Sequence, residues 1–206
     1  MGLSPPIGYT RRKLPHFHAD DAIYFVTYRL YHSISLIEIE RLKSIYPGAK
    51  AENEDHAEYF RSYDFILDAA RHGPKYLQQP DIREIVQSSL LYAGEHWLDL
   101  IAFTIMPNHV HFVAALNGDR TLSQVMQSLK GFTAREANRL LNRTGNRFWQ
   151  DESYDRVIRE GRLGNVVHYI LTNPLKAGLV KDWRDWAGTY LSPNFYGIET
   201  LGLKAR

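Results

Sequence analysis

The amino-acid sequence predicts an α+β protein, a split βαβ or ferredoxin-like sandwich with an antiparallel sheet and a helical insertion after the first strand. Three observations predict it. The chain has 206 residues, enough for one domain that buries a core without staples. Its apolar positions switch between period two and period 3.6. The resulting order is strand, insertion, helix, strand, strand, helix, strand, helix. We therefore expect a single domain over 1–206, with the insertion at about 31–75 and a C-terminal tail at about 187–206.

The elements follow in order. Ala22 to Leu30 is rich in β-branched and aromatic residues and reads as the first strand. A less regular stretch leads to the turn signal Pro47-Gly48, then to a helix from about Glu52 to Ala70, closed by Gly73-Pro74. Asp81 to Gly94 carries Ile82, Ile85, Val86, Leu90 and Ala93 on a helical period, with Pro80 just before it. Trp97 to Met106 reads as a largely buried strand, Pro107-Asn108 as a tight connection and His109 to Leu116 as its hairpin partner. Thr121 to Arg143 again has helical period, Arg147 to Gln150 reads as a short aromatic strand, and Tyr154 to Arg159 as strand or loop. Leu163 to Leu171 is helical and should end near Asn173-Pro174, because proline disfavours helix in the residue before it. Tyr190 to Arg206 reads as irregular.

Composition removes several functions. There is no cysteine, so disulfide frameworks, zinc ribbons, iron–sulfur centres and thiol nucleophiles are excluded, and a metal must sit on imidazole, carboxylate or amide. No apolar run approaches the roughly 18 residues of a membrane span, and Met1 to Lys13 lacks a signal-peptide core, so the cytoplasm is the expected compartment. The formal charge of +2 argues against a polyanionic partner only until it is divided by segment. Residues 31–75 hold six basic against eight acidic side chains, a balance of −2. Residues 121–149 hold Lys130, Arg135, Arg139, Arg143 and Arg147 against Glu136 alone, a balance of +4. An acidic insertion beside a polyanion-binding face gives this pattern; so does a solvated charged helix.

The string MPNHVHFVAAL, Met106 to Leu116, is the most informative. Residues two apart on a strand share a face, so His109 and His111 present two imidazoles together while Val110 turns into the core. Such a pair suits a divalent metal with open positions, although a bare His-x-His is weak by itself. His16 and His18 have the same spacing in a basic, proline-containing lead-in and read as structural. The companion string is VVHYILTNPLKAGLV, Val166 to Val180. Tyr169 and Asn173 are four apart on a helix, so an amide oxygen can complete a two-histidine site beside a phenol. Tyr154, in ESYDRVIRE, is a rival nucleophile that looks exposed. His168 points about 100° away from Tyr169 on the helix and reads as a structural or DNA contact.

Taken together, MPNHVHF, the basic helix, RFWQDESYDRVIRE and HYILTNPLKAGLV resemble the REP-associated tyrosine transposases, a branch of the single-tyrosine HUH transposases. The resemblance runs from about Tyr9 to Trp186 with the motifs in order. It implies an HUH-type ferredoxin-like domain that cleaves and rejoins single-stranded DNA at the foot of REP hairpins through a 5′-phosphotyrosine. It makes Tyr169 the nucleophile and His109, His111 and Asn173 the ligands of Mg²⁺ or Mn²⁺, with Asn173 standing where related transposases have glutamine. Arg135, Arg139 and Arg143 form a stripe that Lys130 and Arg147 extend, the candidate DNA-backbone contacts; Arg11, Arg12 and Lys13 are candidate readers of the hairpin foot. Phe148 and Trp149 are candidates to stack on bases. The expected partner is a single strand bearing a REP-like hairpin, with no membrane. The protein is expected to be cytoplasmic, at the nucleoid, and to work as a monomer, with a dimer as the alternative. A hairpin-binding regulator without catalytic activity is the alternative function, and hydrolysis of a small phosphoester a third. The tail after Trp186 is a candidate restraint on the site in cis.

Overall fold

The structure, a computed structural model, describes residues 8–11, 15–18, 22–47 and 54–197. A two-stranded hairpin, β1 (Gly8–Arg11) and β2 (Pro15–His18), precedes β3 (Ile23–Arg29). Then come α1 (Leu36–Ile45), α2 (Glu54–Ala69), α3 (Pro80–His96), β4 (Leu98–Ile105), β5 (His109–Leu116), α4 (Leu122–Leu140), β6 (Tyr154–Val157), α5 (Leu163–Lys176) and β7 (Thr189–Leu191). The main sheet has the order β6-β3-β5-β4-β7, with every pairing antiparallel. Removing β7 leaves the βαββαβ arrangement predicted from the sequence, with β3 and β5 central.

Both faces of this sheet are covered. Tyr24, Val26 and Tyr28 of β3 and Val110, Phe112 and Ala114 of β5 alternate onto one face, where they meet Ile82, Val86 and Leu90 of α3 and Val125 and Leu129 of α4. Phe25 of β3 and Val113 of β5 point to the other face, where they meet Val167, Ile170 and Leu171 of α5 and Phe60 of α2. A bulge between Leu100 and Ala102 changes the phase of β4, which lets Leu100 and Phe103 both face α3 and α4. The period-two alternation therefore sends His109 and His111 to the α2/α5 face.

Four local expectations are corrected. The stretch read as irregular before Pro47 contains α1, started by a capping box in which Ser35 accepts from the Glu38 backbone and the Glu38 carboxylate accepts from Ser35. Only Leu42 of α1 is buried, so its amphipathic signal is weak. Helix α5 does not stop near Asn173 but continues through Pro174 to Lys176, because Asn173 and Pro174 are both buried and their packing outweighs the local cost of proline. Arg147 to Gln150 makes a single bridge, Leu30 to Trp149, rather than a strand. The tail is not irregular at its start: Thr189–Leu191 pairs with β4, and Leu191 enters the α5-side core. Residues beyond Gly197 lie outside the described residues, as do Arg12 and Lys13; Arg11 lies in β1.

Two glycines give opposite expectations. A Cβ at Gly188 would stand 2.7 Å from the Ile105 carbonyl oxygen, on the approach of β7 to the sheet edge. Gly188→Ala should lower stability by about 1–3 kcal/mol in a urea titration. Gly131, inside α4, has nothing within 4 Å of such a Cβ, so Gly131→Ala should raise stability by about 0.5–1 kcal/mol. No loss of stability in Gly188→Ala would show that the approach of β7 to the sheet edge does not need the glycine.

Candidate functional site

His109 and His111 are fully buried, with their Nε2 atoms 3.0 Å apart. The tautomer of His109 is set by its neighbours. The Asn108 amide nitrogen donates to the Leu67 carbonyl of α2 at 3.1 Å, which turns Asn108 Oδ1 toward His109 Nδ1 at 2.7 Å. Nδ1 of His109 therefore donates and its Nε2 carries a lone pair. Thr27, directly across from His111 in the β3/β5 register, places its hydroxyl 2.6 Å from His111 Nδ1. That hydroxyl can accept from Nδ1, which leaves the second Nε2 free as well.

Helix α2 closes the site from above the sheet. Its Asp64 Oδ1 is 3.2 Å from His111 Nε2, and its Asp68 Oδ1 is 3.6 Å from His109 Nε2. One ligand atom each of Asp64, His109 and His111 lies within 4.8 Å of the others. Two lone-pair nitrogens and a buried carboxylate are all acceptors, so they repel unless a cation or proton lies among them. The buried atoms without a hydrogen-bond partner accordingly include both Asp64 oxygens and Asp68 Oδ1; the two amide atoms of Asn173, fully buried on α5, also lack one. This donor set fits a divalent metal of intermediate hardness. Burial, and then the charge of His111, hold His109 well below the ordinary imidazole range, in the neutral form that ligates. Burial, and then the adjacent Asp64, push the Asp68 carboxyl up to about 7, against the pull of His111 and Lys176.

Tyr169 of α5 is half-buried, with its ring centroid 6.1 Å from that of His111. It lines a cavity of about 370 Å³ together with Asp64, Asp68 and Lys176, and the Lys176 Nζ stands 4.1 Å over the tyrosine ring. The rival, Tyr154, is not exposed as its sequence context suggested: it is buried, stacked on Phe60 at 4.2 Å. Phe148 and Trp149 are also buried, Trp149 donating to Thr133 Oγ1 at 2.9 Å, so neither is presented for stacking on a base. The carboxylates of α2 were missed by sequence reasoning. Their four-residue spacing was visible, but the helix face that meets the histidines was not.

The basic series divides. Helix α4 packs on the sheet face opposite the histidines. Lys130 turns inward and donates to the Gln150 and Asp151 carbonyls at 2.6 and 2.8 Å, and burial pushes it down to about 8. Arg135 and Arg139 share Glu136 at 3.3 and 2.9 Å. Arg143 donates to the Tyr76 hydroxyl, and Arg147 faces Asp151 at 3.4 Å and lies over Tyr31. Backbone bonds from Tyr31 to Phe148, beside Arg147, and from Leu77, beside the Arg143 partner Tyr76, to Pro107 place these last two near the sheet end where His109 begins β5. The buried Arg29, opposite His109 in register, adds a positive charge there and donates to Tyr63 of α2 at 2.6 Å.

Residues 71–173, which include both histidines, Tyr169 and Asn173, match the family described as IS200-like transposases. The chain belongs to that family. No curated protein matches it. Among solved structures, it resembles a REP-associated tyrosine transposase bound to a REP hairpin, with a TM-score of 0.58 and 16% identity over 95% of this chain and 93% of that one. At that identity the likeness shows the fold. A transposase candidate from Deinococcus radiodurans R1 is similar with a TM-score of 0.36 and 13% identity, covering 73% of this chain and 89% of that one. Among the described residues of this transposase, no helix is long and apolar enough to cross a membrane.

The site makes two measurable statements. Asn108→Ala removes the acceptor that fixes the His109 tautomer, and should weaken Mn²⁺ binding by about 10–100-fold in calorimetry. Asp68 binds its proton more tightly folded than unfolded, so without metal stability should fall as pH rises from about 4 to about 7. Mn²⁺ should therefore raise the melting temperature more at about pH 8 than at about pH 5. An equal rise at both would show that Asp68 does not face the cation.

Proposed function

We propose that this transposase cleaves and rejoins single-stranded DNA at the foot of REP-like hairpins, with Tyr169 as nucleophile and a 5′-phosphotyrosine as the intermediate. The observation that carries this reading is the placement of Tyr169 in one cavity with the carboxylates that face His109 and His111. His109, His111 and Asp64 hold a divalent ion, with the unpaired amide of Asn173 as a further oxygen donor; two imidazoles beside oxygen donors favour Mn²⁺ over Mg²⁺. When bound, that ion supplies Lewis-acid withdrawal of charge from the phosphate.

The chain's own residues do the rest. A phenol ordinarily titrates near 10 and is a poor nucleophile at neutral pH. The Lys176 side chain, with Nζ 4.1 Å over the Tyr169 ring, brings positive charge beside the phenol and meets phosphate charge in the same cavity. Attack forms the Tyr169 Oη–phosphorus bond and breaks the bond to the 3′-oxygen; the phenol gives up its proton to solvent, and the departing 3′-oxygen takes one from solvent to leave as a hydroxyl. One phosphodiester replaces another, so a second 3′-hydroxyl can reverse the step without a nucleotide cofactor. Tyr169 and His111 belong to one chain, which supports a monomer as the working unit. Arg143 and Arg147, at the His109 end of the sheet, are the members of the basic series best placed for the DNA backbone; Arg135 and Arg139 extend the path, Arg11, Arg12 and Lys13 remain candidates at the hairpin foot, and Lys130 serves to hold Gln150 and Asp151.

Protein incubated with Mn²⁺ and a hairpin oligonucleotide bearing single-stranded flanks should form a covalent adduct visible on a denaturing gel. Tyr169→Phe should abolish it. Lys176→Met should slow it about 10–100-fold, and Lys176→Arg should restore most of the rate. Tight hairpin binding with no adduct under any metal would establish the regulator instead.

A further inference from the structure

A larger cavity, about 450 Å³, lies between α1 and α2, away from the histidines. Its wall includes Arg41, Tyr46, Arg61, Phe65 and Arg71, with Glu38 as the acidic member. Glu38 is already engaged: its carboxylate accepts from Ser35 at the start of α1 and faces His72 at 3.9 Å. Among the described residues, Arg41 and Arg71 thus line this groove together with Arg61, which also pairs with the exposed Glu58 at 3.6 Å, against one committed carboxylate in the wall, although the insertion as a whole is acidic.

The groove is continuous with the site. Arg61, Phe65 and Ala69 line both cavities. They are four residues apart on α2 and form one ridge along it. On one side of the ridge Asp64 and Asp68 face the histidines; on the other Ser62 and Ile66 face α1. Phe65, at the crest, is 71% exposed, a large cost for an aromatic ring that serves only the fold. An aromatic plane between a phosphate-chemistry site and a row of arginines is the arrangement that binds single-stranded nucleic acid, with bases stacked on the ring and phosphates met by the cations.

We propose that the α1/α2 groove is a binding subsite for the single-stranded flank of the DNA, with Phe65 as a stacking platform and Arg41, Arg61 and Arg71 on successive phosphates. This rests on the reading that the substrate phosphate lies at Tyr169. The flank passes from that phosphate over the α2 ridge and into the groove. The insertion thereby extends the substrate contact beyond the cleaved bond, and affinity depends on the length of the flank.

The test measures binding by fluorescence anisotropy with hairpin oligonucleotides that carry a 5′ flank, a 3′ flank or none, in calcium so that cleavage does not intervene. Phe65→Ala should weaken binding of one flanked hairpin about tenfold and leave the bare hairpin unchanged, and Phe65→Trp should restore it. Arg41→Ala with Arg71→Ala should lower the salt dependence of flanked binding by about 1.4 in log–log slope, as expected for two single-strand phosphate contacts. All these side chains are exposed, so melting temperatures should stay within a degree or two. Equal weakening of bare and flanked hairpins, or no weakening, would overturn the proposal. So would loss of self-association in Phe65→Ala with DNA affinity intact, which would make the groove a protein interface. Because the readout is binding, it separates from the cleavage reading: an absent adduct with flank-dependent affinity retained would sink only the latter.

Discussion

The constraint on which the rest of this structure depends is a group of buried acceptors that face one another. Two imidazole nitrogens 3.0 Å apart and a carboxylate 3.2 Å from one of them cannot share a dry space without positive charge. The surrounding fold is arranged to keep them there. The central position of β5 buries both histidines, the period of the strand puts both on one face, and the β3 register brings Thr27 against His111. Asn108, anchored to the α2 backbone, fixes which nitrogen of His109 points inward. Each of these contacts orients a lone pair, and none of them neutralises it.

Helix α2 has the largest part in this arrangement and lies outside the stretch that defines the family, which begins at residue 71. It contributes Phe60 to the core on this face, Tyr63 to Arg29, Asp64 and Asp68 to the histidines, and the Leu67 carbonyl to Asn108. Five inward positions, spaced along one face of the helix, therefore tie the insertion to both central strands. Such a helix cannot move away from the sheet without releasing the His109 tautomer and removing the carboxylates together. Site geometry and insertion packing are one property.

The fold was legible in the sequence where periodicity is strong. The hairpin of β4 and β5, the long α4 and the strand at Ala22–Leu30 all follow from local pattern. The histidine pair and Tyr169 were legible for the same reason, since spacing fixes a shared face before any tertiary contact is known. Asp64 was not, because a helix with charges on several faces does not declare which one will be buried. Tyr154, Phe148 and Trp149 looked available and are buried, as aromatic residues beside arginines read alike whether the ring or the guanidinium faces water. Helix α5 ran past its proline because burial of Asn173 and Pro174 is a tertiary effect.

Charge distribution follows the same logic. Asp64 and Asp68 line the same cavity as Tyr169, and in the proposed reading two carboxylates this near a phosphate would oppose it. A cation among the histidines and Lys176 in the same cavity would remove that opposition locally, without a basic domain. The excess of arginine is then free to lie further out, at the His109 end of the sheet and along α1 and α2. A formal charge of +2 is what remains when a site that needs acidic ligands and a surface that needs cations are built into the same 206 residues. The near-neutral total records that both kinds of charge are present and kept apart by a single helix, α2, with its carboxylates on one side and its groove on the other.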